Sequence, residues 1–383
     1  MITQHGFTAI IKSVLEKYFE KNADDILNSS YLVQYLNEKT KSASRGSKAR
    51  NSFGNIYSLY VLVEDYIKKG YNAENQGKYS EYEGAVFTDL LKRQRELPFG
   101  SKLQNHSLNS RTNSEFSKYF PTAHLEPIIR DQETRRYWIN ENLLIVKVAH
   151  QQYNIAAAVV DIIDSYIKTK QNSFETFIAQ CKEMQAIESS DELKIQAFIK
   201  GLLAPNVDAR LFEIVSFSIL KYYYNEQHIY WGYEKDSIVE EYLRLYKTGR
   251  TNANDGGIDF VMKPLGKFFQ VTETLDFTKY FLDIDKLEKY PITFVIKSEE
   301  SEEDIKAKLR GNALKIYPVN HIVEKYMRCI EEIINIPKLM ADFDQVVQKG
   351  LVSNVLEEII LQSKVEFNQT DDDDDDDDDA ETE

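Results

Sequence analysis

The stretch from Arg244 to Thr274, RLYKTGRTNANDGGIDFVMKPLGKFFQVTET, constrains the fold of this chain more than any other. A strand-like run, Leu243 to Lys247, ends in a polar loop containing glycine. Asp255-Gly256-Gly257 then leads into a second strand, Ile258 to Met262. Lys263-Pro264-Leu265-Gly266 reads as a tight turn, and Phe268 to Thr274 as a third strand. Successive side chains in a strand point to opposite faces. Asp259 therefore faces away from Ile258 and Phe260, and Gln270 and Thr272 face away from Phe269 and Val271. A hairpin about the turn lets Asp259, Gln270 and Thr272 share one sheet face. Oxygen ligands so arranged suit Mg²⁺, which keeps several waters and takes one or two carboxylates.

The flanking segments extend the pattern. Residues 208–224 predict a helix with Asp208 as its N-cap. Glu213 lies in its apolar run RLFEIV, and a carboxylate among apolar neighbours needs a partner or a metal. Phe277 to Tyr290 reads as helix, Pro291 to Lys297 as a buried strand and Ser301 to Leu309 as a helix with a capping-box start. Ala313 to Tyr317 reads as a final strand, with helices following to about residue 363. Helix, three strands, helix, strand implies an α/β fold with a central mixed sheet flanked by helices. Before residue 203 the pattern is mostly helical, with helices expected over residues 7–36, 56–67, 86–95, 154–168 and 173–184. The expected organisation is a mostly helical region over 1–202, a mixed α/β region with C-terminal helices over 203–366, and a disordered acidic tail over 367–383.

Glu213, then DGGID at 255–259, then Gln270-Val271-Thr272 resembles the PD-(D/E)XK nuclease superfamily, in particular type II restriction endonucleases. The layout of TNANDGGIDF and FFQVT is similar to the HaeII-type group, and the resemblance covers roughly residues 205 to 300. It implies a restriction-endonuclease-like catalytic region in which Asp259 is the invariant metal ligand. Gln270 stands where the superfamily has its second acidic ligand, and Glu213 where it has a helical acid. An amide oxygen of Gln270 and the backbone carbonyl of Val271 can both coordinate. Thr272 stands in place of the lysine and brings no positive charge; Lys263, Lys267 or Arg250 would then supply it. Asp255 reads as a turn residue, and Glu273 as a solvated residue on the other face.

Two polar basic clusters precede this region. Arg45, Lys48 and Arg50 form one, and Arg93, Arg95, Asn105, His106 and Arg111 the other. Arg and Asn can read guanine and adenine edges in the major groove, and Lys suits phosphates. Arg250 and Asn252 lie just before Asp259 and would sit near the cleaved phosphate. The expected function is a sequence-specific, Mg²⁺-dependent double-stranded DNA endonuclease of a restriction-modification system. It would act as a homodimer, functionally paired with a cognate DNA methyltransferase. A repair or modification-dependent nuclease, and a degenerate nuclease fold that only binds DNA or protein, are the alternatives.

Composition permits this reading. The chain has 383 residues, 42% of them hydrophobic, ample for a sizeable core. Its net charge of −15 is concentrated in the tail after Thr370, whose eleven acidic residues leave the body near about −4. Such a tail is expected to be a solubilising extension, the alternative being a DNA mimic that competes for the basic cleft. No apolar run is long enough to span a membrane. Cys181 and Cys329 lack ligand-spaced partners, which suits a reduced cytoplasmic interior and no zinc site. Phosphate-binding loop and nucleophile-elbow motifs are missing, which argues against an NTPase or a serine hydrolase.

Overall fold

The computed structural model describes residues 3–41, 43, 49–101, 103–187, 191–204, 207, 209–248 and 258–367. Asp208, Asp255 and the acidic tail lie outside these residues. The chain opens with helices α1 (Thr8–Phe19), α2 (Ala23–Ser29), α3 (Tyr31–Lys39) and α4 (Ala49–Lys68). Strand β1 (Ala85–Val86) leads into α5 (Phe87–Glu96), and a π-helical turn (Ser107–Arg111) into α6 (Thr112–Tyr119). Two hairpins follow, β2 (Ile128–Asp131) with β3 (Arg136–Ile139) and β4 (Ile145–Val148) with β5 (Gln151–Asn154), and then α7 (Ala156–Ala186).

The segment expected as helix over residues 7–36 is divided among α1, α2 and α3; of its first apolar residues Phe7, Ile11 and Leu15 enter the first core, whereas Ile10 and Tyr18 are exposed. Ser30 starts α3 as expected of an N-cap, its hydroxyl accepting from the Val33 amide at 3.2 Å. Tyrosines fill much of this core, and their hydroxyls find partners: Tyr66 donates to the Tyr71 carbonyl and to Glu141. The hairpins of residues 128–154 replace expected helix. Each of their strands has four residues, too few to establish a period in the sequence. The Asp131 side chain holds the first hairpin's turn by accepting from the Glu133 amide (3.0 Å) and the Thr134 hydroxyl (2.6 Å). The two helices expected over 154–184 are one helix of 31 residues. Its polar middle is accommodated within the helix, the Thr169 and Ser173 hydroxyls donating to carbonyls four residues earlier, at 2.8 and 2.9 Å.

The second half contains α8 (Glu192–Leu202), α9 (Ala209–Tyr224), the hairpin β6 (His228–Trp231) with β7 (Val239–Tyr242), β8 (Arg244–Lys247), β9 (Phe260–Lys263), β10 (Lys267–Thr272) and α10 (Phe277–Lys286). It continues with β11 (Ile292–Ile296), α11 (Glu302–Ile316), α12 (Asn320–Met327), β12 (Ile330–Ile334), α13 (Ile336–Gln348) and α14 (Val352–Phe367). A five-stranded sheet of order β12-β11-β10-β9-β8 organises it. Strands β8, β9 and β10 form an antiparallel meander, whereas β10, β11 and β12 run parallel. The β9–β10 turn falls at Lys263 to Gly266 as the sequence implies, with Gly266 at φ +67, a backbone region that glycine enters without a Cβ clash. Parallel neighbours need crossovers, and α10 and the α11–α12 pair supply them. The fold is mixed α/β.

Two apolar layers cover the sheet. On one side Phe260 and Phe269 pack with Phe212, Phe217 and Phe343. On the other, Phe294 packs with Tyr280, Ile284, Ile305 and Leu309. Residues 313–317, expected as a strand, instead complete α11 and run just past its end; the last strand is β12, in a stretch that reads as helix. Ser301 starts α11 by accepting from the Asp304 amide at 3.1 Å, and nothing in Ala313–Leu314–Lys315 stops a helix once begun. Strand β12 is specified by the exposed flank of β11, not by its own alternation.

Asp342 on α13 is only 2% exposed, and one of its oxygens has no partner. Burial pushes its carboxyl up to about 6, against the opposing pull of Lys338, 3.5 Å away. A carboxyl raised above its unfolded value costs stability as pH rises from about 4 through about 6, because the folded state must then hold a buried charge. Asp342→Asn is expected to raise stability by about 1–2 kcal/mol at pH 7.5 and by nearly nothing at pH 4. Urea titrations at the two pH values check this; an equal gain at both would refute it.

Candidate functional site

The neighbourhood of the expected metal site lies where β9 begins, β10 ends and α10 starts. Asp259 immediately precedes β9. Its amide donates to the Phe269 carbonyl at 2.9 Å. Its carboxylate accepts from the Val271 amide at 2.6 Å, replacing a backbone acceptor in the ladder. A strand amide points along the sheet plane, so the carboxylate that caps it lies near that plane. Gln270 is 8% exposed and pairs with Phe294 of β11, whose ring packs on Tyr280 of α10 at 4.6 Å. Strand alternation therefore puts Gln270 and Thr272 together on the α10 side.

Lys279, in the first turn of α10, brings its ammonium to the Thr272 hydroxyl at 3.5 Å. That distance makes a loose contact, not a strong hydrogen bond. Among the described residues Lys279 forms no ion pair. Its position has a signal in the sequence: a cation in a helix's first turn opposes the macrodipole and is the wrong charge for stability alone. Lys267 and Lys263, which the sequence offers as sources of that charge, are engaged elsewhere. Lys267 pairs with Glu332 at 2.7 Å, and the Lys263 ammonium sits 5.4 Å from the centre of the Tyr246 ring. Arg250 and Asn252 lie outside the described residues.

Glu213 occupies the other side of the sheet. Its carboxylate pairs with Lys247 of β8 at 2.8 Å. Lys247 is opposite Phe260, whose ring contacts Phe217 of α9. The partner that a buried carboxylate requires is thus a lysine of the meander, and Glu213 does not join Gln270 and Thr272 on the α10 side. Glu273, expected to be solvated, is exposed yet pairs with Lys297 at 2.6 Å. The Lys297 ammonium also lies 5.7 Å from the centre of the Phe212 ring.

Among the described residues no three His, Cys, Asp or Glu side chains cluster as metal ligands. Magnesium needs fewer protein groups than that, since water fills most of its shell. The fit rests on Gln270. Among the described residues its buried Oε1 has no partner, while its Nε2 makes only a long 3.4 Å contact with the Val271 carbonyl. Rotating the amide by half a turn would set two carbonyl oxygens side by side near the Asp259 carboxylate, a donor set that suits a hard cation.

The basic clusters have mixed fates. Arg45 and Lys48, and the side chain of Arg50 at the start of α4, lie outside the described residues. Arg93 grips Glu64 through two nitrogens, each at 2.9 Å. Arg95 donates to the Leu103 carbonyl at 3.2 Å, and Arg111 pairs with Glu115 at 3.4 Å. Asn105 and His106 are exposed beside the π-helical turn. Compared with known protein families, curated proteins and solved structures, the chain matches none.

The Glu213–Lys247 pair generates a stability prediction. Both side chains are largely buried, and removing one member leaves the other uncompensated. Lys247→Met is expected to cost about 3 kcal/mol, and adding Glu213→Leu to recover most of it. Denaturant titration of the single and double variants measures the coupling; additive losses would show that the pair is not a structural unit.

Proposed function

We propose that this chain is a Mg²⁺-dependent DNA endonuclease with a restriction-endonuclease-like catalytic region over residues 203–366. The single observation that carries this reading is that α9 and, after the separate β6–β7 hairpin, β8–β9–β10–α10–β11 build one mixed sheet, with Asp259 just before β9 bonded to the Val271 amide of β10 beside Gln270. Asp259, the Gln270 side-chain oxygen and the Val271 carbonyl would hold the ion, which supplies Lewis acidity and an acidified water. Asp259 is steadied by the Val271 amide. Lys279 provides the positive charge that Thr272 lacks, aimed over Thr272 toward the position of a scissile phosphate. Glu213 acts from the far side by fixing Lys247 and hence β8. In this reading the substrate is double-stranded DNA, cut at a specific sequence by a homodimer whose host genome is protected by a methyltransferase.

One observation favours a second reading, a nuclease-like sheet that binds DNA or protein without cutting. Glu213 is neutralised by Lys247 and Thr272 stands at the lysine position, so few acidic groups converge.

Incubation of plasmid DNA with the full chain and Mg²⁺ separates the two. Asp259→Ala is expected to lower cleavage about a thousand-fold, and Lys279→Ala about a hundred-fold with partial rescue by Lys279→Arg. DNA binding measured by gel shift in Ca²⁺ should change by no more than a few-fold in each. Undiminished cleavage by Asp259→Ala sinks the site, and binding without cleavage by the unaltered chain establishes the second reading.

A further inference from the structure

A pocket of about 380 Å³ opens between the β2–β3 hairpin, the start of α5 and the π-helical turn. Asn105, Asn109, Arg130 and Arg135 line it, with Phe87 and Tyr137 as its apolar wall, and no carboxylate is among its lining residues. The neighbouring acid, Asp131, is held in the hairpin turn by the Thr134 hydroxyl and the Glu133 amide. Arg136, next to Arg135, donates to the Gly84 carbonyl at 3.0 Å. Among the described residues no ion pair involves Arg130 or Arg135. Arg135 holds φ +52, a conformation few residues with a Cβ adopt, as the hairpin turns back toward the pocket.

The amides are oriented as well. The Tyr137 hydroxyl donates to Asn109 Oδ1 at 2.8 Å, which leaves the Asn109 NH₂ available as a donor. The Phe87 and Tyr137 rings lie 5.3 Å apart. The pocket thus offers two guanidinium forks and amide donors to an anion, beside an aromatic surface for something flat or apolar attached to it. A π-helical turn at its rim is a local irregularity of the kind that recurs at functional sites.

We propose that this pocket binds a nucleotide phosphate, with Arg130 and Arg135 gripping the phosphate and the Phe87–Tyr137 wall meeting the nucleoside. The source favoured is a DNA strand, which rests on the nuclease reading; a free nucleotide has the same chemistry.

Two arms test it with the full chain. The first measures binding of a labelled duplex in Ca²⁺ over a salt series. The second titrates dAMP by calorimetry. The Arg130→Ala/Arg135→Ala variant is expected to weaken duplex binding about ten-fold and to reduce the slope of log affinity against log salt by about one to two. Arg130→Lys/Arg135→Lys, which keeps the charge but not the fork, should fall between. Among the described residues neither arginine has an ion-pair partner, so thermal stability should be unchanged. If the alanine variant binds duplex and dAMP as the unaltered chain does, the pocket assignment is overturned, while plasmid cleavage still reports on the nuclease reading. If the unaltered chain neither binds nor cuts DNA but binds dAMP through these arginines, the pocket stands and the nuclease reading falls.

Discussion

The parallel pairing of β10, β11 and β12 sets the terms for the second half of the molecule. Strand β11, ITFVI, is buried at every position, so both faces of the sheet must be covered. Parallel neighbours cannot be joined by a tight turn, and the chain has to leave the sheet and return. Only four residues, 273–276, separate the end of β10 from the first return path, α10. That short link is why the beginning of α10 stands over the end of β10, and why Lys279 reaches Thr272. The candidate site is a by-product of a crossover that packing demands.

Charge is handled around this sheet by local pairing. Glu213 with Lys247, Glu273 with Lys297 and Glu332 with Lys267 are each a carboxylate matched to a lysine of the sheet or its immediate continuation. Lys297 is the extreme case, its side chain nearly sealed and braced on the Phe212 ring. Matched pairs of this kind keep acids tolerable close to an apolar layer. Against that background Lys279, with no carboxylate partner among the described residues, and the orphaned Gln270 oxygen are departures from the local rule.

Much of the sheet was legible in the sequence because each element carried its own signal. The turn at Lys263–Gly266 was marked by Pro and Gly, the helix of Glu213 by its period, and β11 by an uninterrupted apolar run. Glu213 could be recognised as a buried acid in need of a partner, but not which partner, since that depends on the face Lys247 takes in β8. Lys279 was missed because its meaning depends on where the crossover lands. The hairpins of residues 128–154 and 228–242 were missed for want of length, and β12 because its partner strand, not its own alternation, defines it. The N-terminal arginines looked free in sequence; Glu64 and Glu115, distant or on another turn, hold two of them.

Helix α7 has a consequence of a different kind. Its first half, through Ile167, belongs to the N-terminal core, and Cys181 and Met184 near its end belong to the core on the α9 side of the sheet. The two halves of the chain are therefore threaded on one continuous axle of 31 residues, about 46 Å long. Each residue added to or removed from its middle would turn one half against the other by about 100° and shift it by about 1.5 Å. Length variation at that place is geared: each single-residue change throws the halves out of phase by more than a quarter turn. The segment is locked to a count in a way that an exposed loop tip is not.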